Sequence, residues 1–586
     1  MVLSNFDWVI ILSFFALFLI IGLRVSKKAG SSSKEFFLSG RNMPWWLLGI
    51  SMVATTFSAD TPNLVTDIVR QNGVAGNWVW WAFLITGMLT VFVYAKLWRK
   101  SGVLTDLEFY ETRYSGKEAA FLRGFRAIYL GVFFNIMIMA SVCLAAIKIG
   151  EVMFGLEPWQ TVVYASLVTV AYSSLGGLRG VILTDFLQFI VAMVGSVAAA
   201  IYIVNLPEVG GLNELLNHPE VSTKLDLIPS ISNRELFITL FIIPIAVQWW
   251  SVWYPGAEPG GGGYIAQRML SAKNEKHAVS ATFLFNITHY ALRPWPWIMI
   301  ALASLVVYPD LASIQSAFPN IEEGKLGHDL GYSAMLLSLP SGLLGIVIAS
   351  LIAAFMSTIS THLNWGSSYV AYDFYQRFVK NDASEKELVN VGRISTVVLM
   401  ILAGLLALKL QSAYEAFQIL LSIGAGTGSI FILRWFWWRI NAASEITAMI
   451  VSFILAVTWT FVDIPTDIEL LLSVGITTVS WVLVALITSP TSTAQLARFF
   501  NSVKPYGSGW NGFKRLASDE GVTLEKGTGR FSIDLLAMLL GIFMVYALLF
   551  SVGLIIYGNY ALGFSLFSLA FGAAFFLNLI WKKLSF

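Results

Sequence analysis

A single cysteine, Cys143, stands in an apolar stretch of the 586 residues, so neither an internal disulfide nor a thiolate metal cluster can form. Five histidines show no metal-ligand spacing, and no nucleophile, histidine and acid fall into a recognisable set. An enzyme is therefore the least supported class. Charge is also scarce: Asp, Glu, Lys and Arg make up 12% of the chain, about half the share of a soluble domain, with a net charge of +2. Nothing here points to a nucleic-acid partner. What is abundant is apolar surface, 57% hydrophobic and 14% aromatic residues with mean hydropathy +0.72, which defines an all-α integral membrane protein.

Apolar runs predict about fifteen transmembrane spans, at 8–23, 45–69, 77–97, 126–152, 159–177, 180–204, 236–254, 278–308, 336–372, 390–409, 415–438, 444–462, 469–488, 534–556 and 560–581. The first is followed by Arg24, Lys27 and Lys28 without a small-residue cleavage pattern, and reads as a retained helix. Lys27, Lys28, Lys96, Arg99, Arg113, Arg179, Arg268, Arg434 and Arg439 fall in alternate connections, which the positive-inside rule assigns to the cytoplasm. The expected protein is thus multi-pass in the plasma or inner membrane, with its N-terminus outside and Lys582 and Lys583 inside. Expected divisions are a first helix and loop (1–43), a first repeat (44–204), a second repeat (236–438), peripheral helices (439–489), a polar Gly-rich cytoplasmic loop (490–533) and a C-terminal helical hairpin (534–586).

The second span carries Ala54-Thr55-Thr56-Phe57-Ser58-Ala59-Asp60-Thr61-Pro62 where it should be most apolar. Proline clashes with the preceding turn, and Ser and Thr compete for backbone groups, so the helix is expected to break and free carbonyls. Freed carbonyls survive at membrane depth only if they line a cavity or hold an ion. Five spans later, Gln248-Trp249-Trp250 leads into Tyr254-Pro255-Gly256-Ala257-Glu258-Pro259 and four glycines before Tyr264. Two breaks at matching positions point to an inverted-repeat transporter of five plus five helices, with a flexible surface loop at Pro255 to Gly263 as the alternative for the second.

The ninth span groups hydroxyls: Ser357, Ser360 and Thr361 share a face at i, i+3, i+4, with Thr358 beside them. Hydroxyls and freed carbonyls suit a hard monovalent cation, although Ser and Thr also bond back to their own helix. Asp185 opens the sixth span, as an ion ligand or as a helix cap. Asp60 and Arg293 are charges at membrane depth; Arg293 suits a substrate carboxylate or a pair with Asp60 or Glu258. Trp78, Trp80, Trp81, Trp249, Trp250 and Trp253 either wall a cavity or sit at the membrane interface.

With these residues the chain resembles the sodium:solute symporter family over roughly the first 490 residues. The likeness rests on Glu35 to Trp46 ahead of the second span, Glu108-Phe109 with Arg113-Tyr114, Gly176-Gly177 with Thr184-Asp185 and Gln188, Tyr264 with Gln267-Arg268, and Ala354 with Ser357-Thr358. The resemblance implies the fold of the bacterial leucine transporter and Na+ as coupling ion. It implies a sodium site from the carbonyls of Ala54, Phe57 and Ala354 and the hydroxyls of Ser357 and Thr358. A second sodium, held by some members, would use Asp185, Ser357, Ser360 and Thr361, and Tyr264 would be the inner gate. Two features depart from the galactose transporter: the Pro/Gly run ahead of Tyr264, and Trp80-Trp81 where that transporter places a sugar-binding Glu.

The expected function is sodium-coupled symport of a small polar organic solute (sugar, amino acid or carboxylate) into the cell by alternating access. Substrate is expected near Ser58, Asp60, Thr61, Glu258 and Arg293, with Arg293 favouring an anionic or zwitterionic one. A proton-coupled transporter of the same fold and a membrane solute sensor are the alternatives. Partners are the solute, sodium and the bilayer; the sequence leaves open whether the protein is a monomer.

Overall fold

The computed structural model describes residues 3–252, 258–319, 321, 326–410, 424, 426–462, 464–525 and 529–584, and is all-helical among them. The only β contact there is an isolated bridge, Met43 with Ala272. Helix α1, Asn5–Ala29, is followed by α2, Trp45–Thr56, and α3, Thr61–Asn72. Phe57 leaves helical geometry at φ −89°, ψ 80°, and Pro62 falls in the first turn of α3. A missing N–H costs little at that position, so the proline starts a helix here rather than kinking one. The four residues 57–60 form the expected break.

Helices α4, Val74–Ser101, α5, Lys117–Glu151, and α6, Pro158–Val204, complete the first half. Two successive helices make up α6, joined at Gly177 with φ 53° and ψ −164°; a Cβ there would lie 2.7 Å from the Phe36 carbonyl oxygen. Only glycine meets both demands. Gly177→Ala is expected to cost about 1–3 kcal/mol from the backbone conformation alone, read as a lowered thermal-unfolding midpoint in detergent.

The second half begins with the broken element around Ile243–Ala246 and Gln248–Trp250, then α7, Gly263–Ser271. Residues Trp253 to Ala257, including Pro255, lie outside the described residues. Glu258 to Gly263 are buried and fixed, with Gly260 and Gly261 at φ 91° and 86°, and Trp98 Nε1 donates to the Gly260 carbonyl at 2.7 Å. This part of the glycine run is an ordered inner wall, not a surface loop. Then come α8, Glu275–Val307, α9, Leu343–Val379, and α10, Glu385–Ala407.

Peripheral helices are α11, Ala442–Trp459, α12, Ile468–Ile487, α13, Phe531–Ile556, and α14, Tyr560–Trp581. Eleven helices among the described residues are long and apolar enough to cross a membrane. The expected fifteen also counted 45–69, 159–177, 236–254 and 415–438. The first and third are the interrupted elements, the second is the first part of α6, and the last has 415–423 and 425 outside the described residues and a short helix, Gly428–Leu433, in the rest.

In the core, α6 packs along α9, α2 along α8, and α1 across both α6 and α9. Helix α13 lies against α4 and α8: the Tyr546 hydroxyl donates to the Trp81 carbonyl at 2.9 Å, and Trp295 fills the gap left by Gly553. Lys96 on α4 pairs with Asp534 on α13 at 2.6 Å, and the Tyr506 hydroxyl donates to the same carboxylate at 2.5 Å. The segment expected as a loop at 490–533 contains helices Thr493–Val503 and Asn511–Asp519. Their faces bury Phe499, Phe500 and Phe513, and Trp510 in the turn between them is buried too, its Nε1 donating to the Trp435 carbonyl at 2.9 Å. Lys96, Arg113, Arg268 and Arg434, read from sequence as loop charges, are all buried.

Candidate functional site

The break at 57–60 faces the hydroxyl-bearing stretch of α9. Thr358 Oγ1 donates to the Thr55 carbonyl at 2.8 Å, and the Thr55 and Thr361 hydroxyls lie 3.0 Å apart. Helical spacing explains the meeting: Ser51 and Thr55 share one face of α2 at i, i+4, and Ser357 and Thr361 share one face of α9. All of these hydroxyls are buried. The Ala54 carbonyl accepts only a capping bond, from Phe57 N at 3.2 Å, and Ala354 is buried on α9 one turn before Ser357 and Thr358. This oxygen-only donor set, with no thiolate or imidazole, suits a hard cation.

Asp185 on α6 is equally buried and fully engaged. Ser357 Oγ donates to Oδ1 at 2.6 Å, Ser51 Oγ to Oδ2 at 2.5 Å, and Arg268 Nη2 lies 3.6 Å from Oδ2. Arg268 also donates to Thr361 Oγ1 at 2.7 Å, and Ser360 Oγ bonds back to the Ser357 carbonyl at 3.1 Å. A guanidinium therefore stands among the oxygens that the resemblance assigned to a second sodium. Asp185 is a buried ion-pair partner here, neither a free ion ligand nor an interfacial cap. Tyr264 is buried on α7 with its ring 5.8 Å from the Arg268 guanidinium carbon and 6.0 Å from the His362 ring.

On the other side of the break, Thr56 joins α2 to α8. Its hydroxyl donates to the Val53 carbonyl at 2.9 Å, accepts from Arg293 Nη1 at 3.1 Å and lies 3.0 Å from His289 Nδ1. With the Thr56 proton used, the network assigns the His289 proton to Nδ1, leaving Nε2 to face Arg293 Nη2 at 3.5 Å. Trp297 lies under the guanidinium, 5.1 Å from it. Ser58 N donates to Thr61 Oγ1 at 3.2 Å, which holds the break in shape. Asp60 occupies the N-cap position of α3, yet its side chain makes no capping bond.

Glu258 does not join this group. Its Oε1 accepts from Arg126, within a buried network in which Arg434 donates to the Tyr110 hydroxyl at 3.0 Å and Tyr114 donates to Glu445 at 2.5 Å. The Pro/Gly run explains the correction: it directs Glu258 toward α5 instead of α8. Among the aromatics, Trp80 stacks on Tyr290 at 5.9 Å and meets His289 edge-on at 5.7 Å, whereas Trp78 and Trp81 pack with each other at 5.9 Å. Trp249 and Trp250 lie together, 5.4 Å between rings, and Trp253 lies outside the described residues.

Sequence reasoning missed Ser51, Thr55, Thr56, His289 and the burial of Arg268. Three of these had a usable signal. Ser51 and Thr55 repeat at i, i+4, and His289 precedes Arg293 by four residues in an otherwise apolar helix.

Two helices broken at matching positions, with ionisable and hydroxyl side chains gathered at one break, define a leucine-transporter-like inverted-repeat secondary transporter. The sodium:solute symporter family model matches residues 36–452, and the chain belongs to that family. A sodium/glucose cotransporter of Vibrio parahaemolyticus is 26% identical over 469 residues, covering 77% of this chain and 84% of the relative. Sodium/glucose cotransporter 1 of Oryctolagus cuniculus is 26% identical over 456 residues, 72% of this chain and 66% of that protein. In fold, the chain is similar to a Na+-coupled sialic acid symporter solved in a substrate-bound outward-open state, with TM-score 0.68 at 21% identity over 83% of this chain and 99% of that one. Sodium is the coupling ion.

Proposed function

We propose that the protein carries a small polar organic solute into the cell with sodium by alternating access, and is not an enzyme. The observation that carries this reading is the bond from Thr358 Oγ1 to the Thr55 carbonyl, which brings the hydroxyls of α9 against the carbonyl end of α2. Sodium would be held by the Ala54, Phe57 and Ala354 carbonyls with the Ser357 and Thr358 hydroxyls, drawn also by the negative end of the α2 dipole. Ion binding there ties the broken helix to α9 and completes a pocket at Ser58, Asp60, Thr61 and Arg293. Tyr264 closes the inner side.

One sodium ion per cycle is the simpler reading, because Arg268 already neutralises Asp185 and engages Thr361. In this reading the N-terminus is outside and the C-terminus cytoplasmic. One charge moving down 100 mV supplies about 2.3 kcal/mol, enough for roughly a fifty-fold solute ratio before any sodium gradient.

The test is uptake into proteoliposomes of labelled sugars, amino acids and organic acids, with and without an inward sodium gradient. Accumulation is expected only with sodium. In Ser357→Ala/Thr358→Ala it falls by at least roughly 100-fold, because two ion-ligand contacts at the low end of about 1.5 kcal/mol each sum to about 3 kcal/mol. Sodium-independent uptake, or an unaffected double variant, overturns the site.

A further inference from the structure

Arg293 is 2% exposed, and no carboxylate of the described residues lies within the ion-pair distance of 4.0 Å. Its Nε has no hydrogen-bond partner, and one Nη2 contact is the long 3.5 Å approach to His289. The Nε/Nη2 edge, the side-on fork that takes a carboxylate in two parallel bonds, is thus unused. A buried guanidinium without a counter-ion is costly, and a Thr hydroxyl, a neutral imidazole and an indole face offset that cost only in part.

Asp60 is the opposite case on the facing side of the break. It makes no capping bond and no ion pair, and Thr56 links its end of the break to Arg293: the neighbouring Thr61 Oγ1 donates to the Thr56 carbonyl at 3.3 Å, and the Thr56 hydroxyl accepts from Arg293. Opposite charges sharing one buried site pair unless other contacts hold them apart. Here Thr56 and His289 hold Arg293 away on α8. Thr56, Asp60, Thr61 and Trp80 remain partly accessible while Ser51 to Thr55, Phe57 and Ser58 are covered, so solvent-sized space is left beside the break.

We propose that this site takes a zwitterion of the α-amino acid type, its carboxylate in the side-on fork of Arg293 and its ammonium on the Asp60 carboxylate. The proposal rests on the symport reading and names its substrate class. A neutral sugar would leave both charges uncompensated, and a simple carboxylate would leave Asp60 unmatched beside a second anion.

The experiment uses the full chain in proteoliposomes under an inward sodium gradient. It compares labelled α-amino acids with their methyl esters, with acetate and propionate, and with glucose, galactose and myo-inositol. Sodium-induced thermal stabilisation of the detergent-purified protein is measured in parallel. Sodium-stimulated accumulation is expected for an α-amino acid only. Its methyl ester and the deaminated acid are expected to compete at least about 100-fold more weakly, as for a site whose buried polar groups are left unpaired. Arg293→Gln and Asp60→Asn are each expected to abolish accumulation while keeping the sodium-induced thermal shift, which shows an intact fold and ion site.

Sodium-driven uptake of a sugar, polyol or simple carboxylate overturns the zwitterion assignment and leaves symport standing. A sodium-induced shift with no amino-acid accumulation also counts against it. Absence of both the sodium shift and any sodium-stimulated uptake overturns the symport reading itself. The analogue comparison on the unmodified protein decides the matter even if a variant fails to fold.

Discussion

Asp185→Asn is expected to lose about 3–5 kcal/mol of stability, because it strips the counter-charge from a guanidinium that has no route to water. Arg268 and Asp185 are each 0% exposed, and the Asp185 oxygens accept from Ser51 and Ser357 with Arg268 Nη2 3.6 Å away. Asparagine replaces one acceptor with a donor amid donors, so hydrogen bonds are lost along with the charge. The measurement is the unfolding midpoint in detergent, taken in sodium and in choline. Because the loss arises from the ion pair, it is expected to be equal in the two salts. A loss confined to sodium buffer would return Asp185 to the role of an ion ligand. Arg268→Met/Asp185→Leu, which removes both charges, is expected to recover much of the stability.

Glu258→Gln is expected to be as severe, by about 3–5 kcal/mol, and to be rescued by a change on the other helix. Glu258 is the carboxylate that Arg126 donates to, and Arg126 otherwise has Phe431 and Tyr110 rings 4.9 and 5.4 Å away and Met449 Sδ at 4.0 Å. Without Glu258 that cation faces aromatic and thioether surface beside a second cation, Arg434, which leans on the same Phe431 ring at 4.8 Å. In a double-mutant cycle with Arg126→Met, the paired change should sit closer to the unmodified protein than either single change. A coupling near zero would show that the pair contributes nothing and that the network is held by its tyrosines instead.

Much of the fold follows from patterns visible in the chain. The break after Thr56 follows from hydroxyls and a proline in an apolar run, and the turn at Gly177 from a glycine pair between two spans. The two matching breaks then set the order of the repeats, and the family likeness agrees with it. The site was legible at the level of single residues: Thr358 does meet the broken helix, and Asp185 does meet Ser357. Charge pairing was not legible. Arg268 and Arg434 sit near span ends in sequence, and the short, interrupted elements Gly263–Ser271, which carries Arg268, and Gly428–Leu433, which Arg434 caps, place them in the interior. Glu258 went to Arg126 and not to Arg293 because glycines with φ near 90° turn the chain in a direction that residue order does not encode. The helices at 493–503 and 511–519 escaped notice because each is about three turns or fewer, and their apolar faces are satisfied from distant parts of the chain, the first by Trp435 and Phe109 and the second by Trp438.

The C-terminal hairpin lies along α4 and α8, the second helices of the two repeats, and fastens to α4 at both ends, through Trp81 and through Lys96. Its Asp534 is shared with Tyr506 of the preceding segment, so the fastening is tied back to the rest of the chain at the same point. In mechanical terms the hairpin is a belt that turns two symmetry mates into a single lever. A lever so bound cannot flex between its own members. Under the proposed alternating access, rocking that exposes the break would fall on the seams that the belt leaves free, between α2 and α7 on one side and α6 and α9 on the other, and the buried Asp185–Arg268 pair lies across that seam.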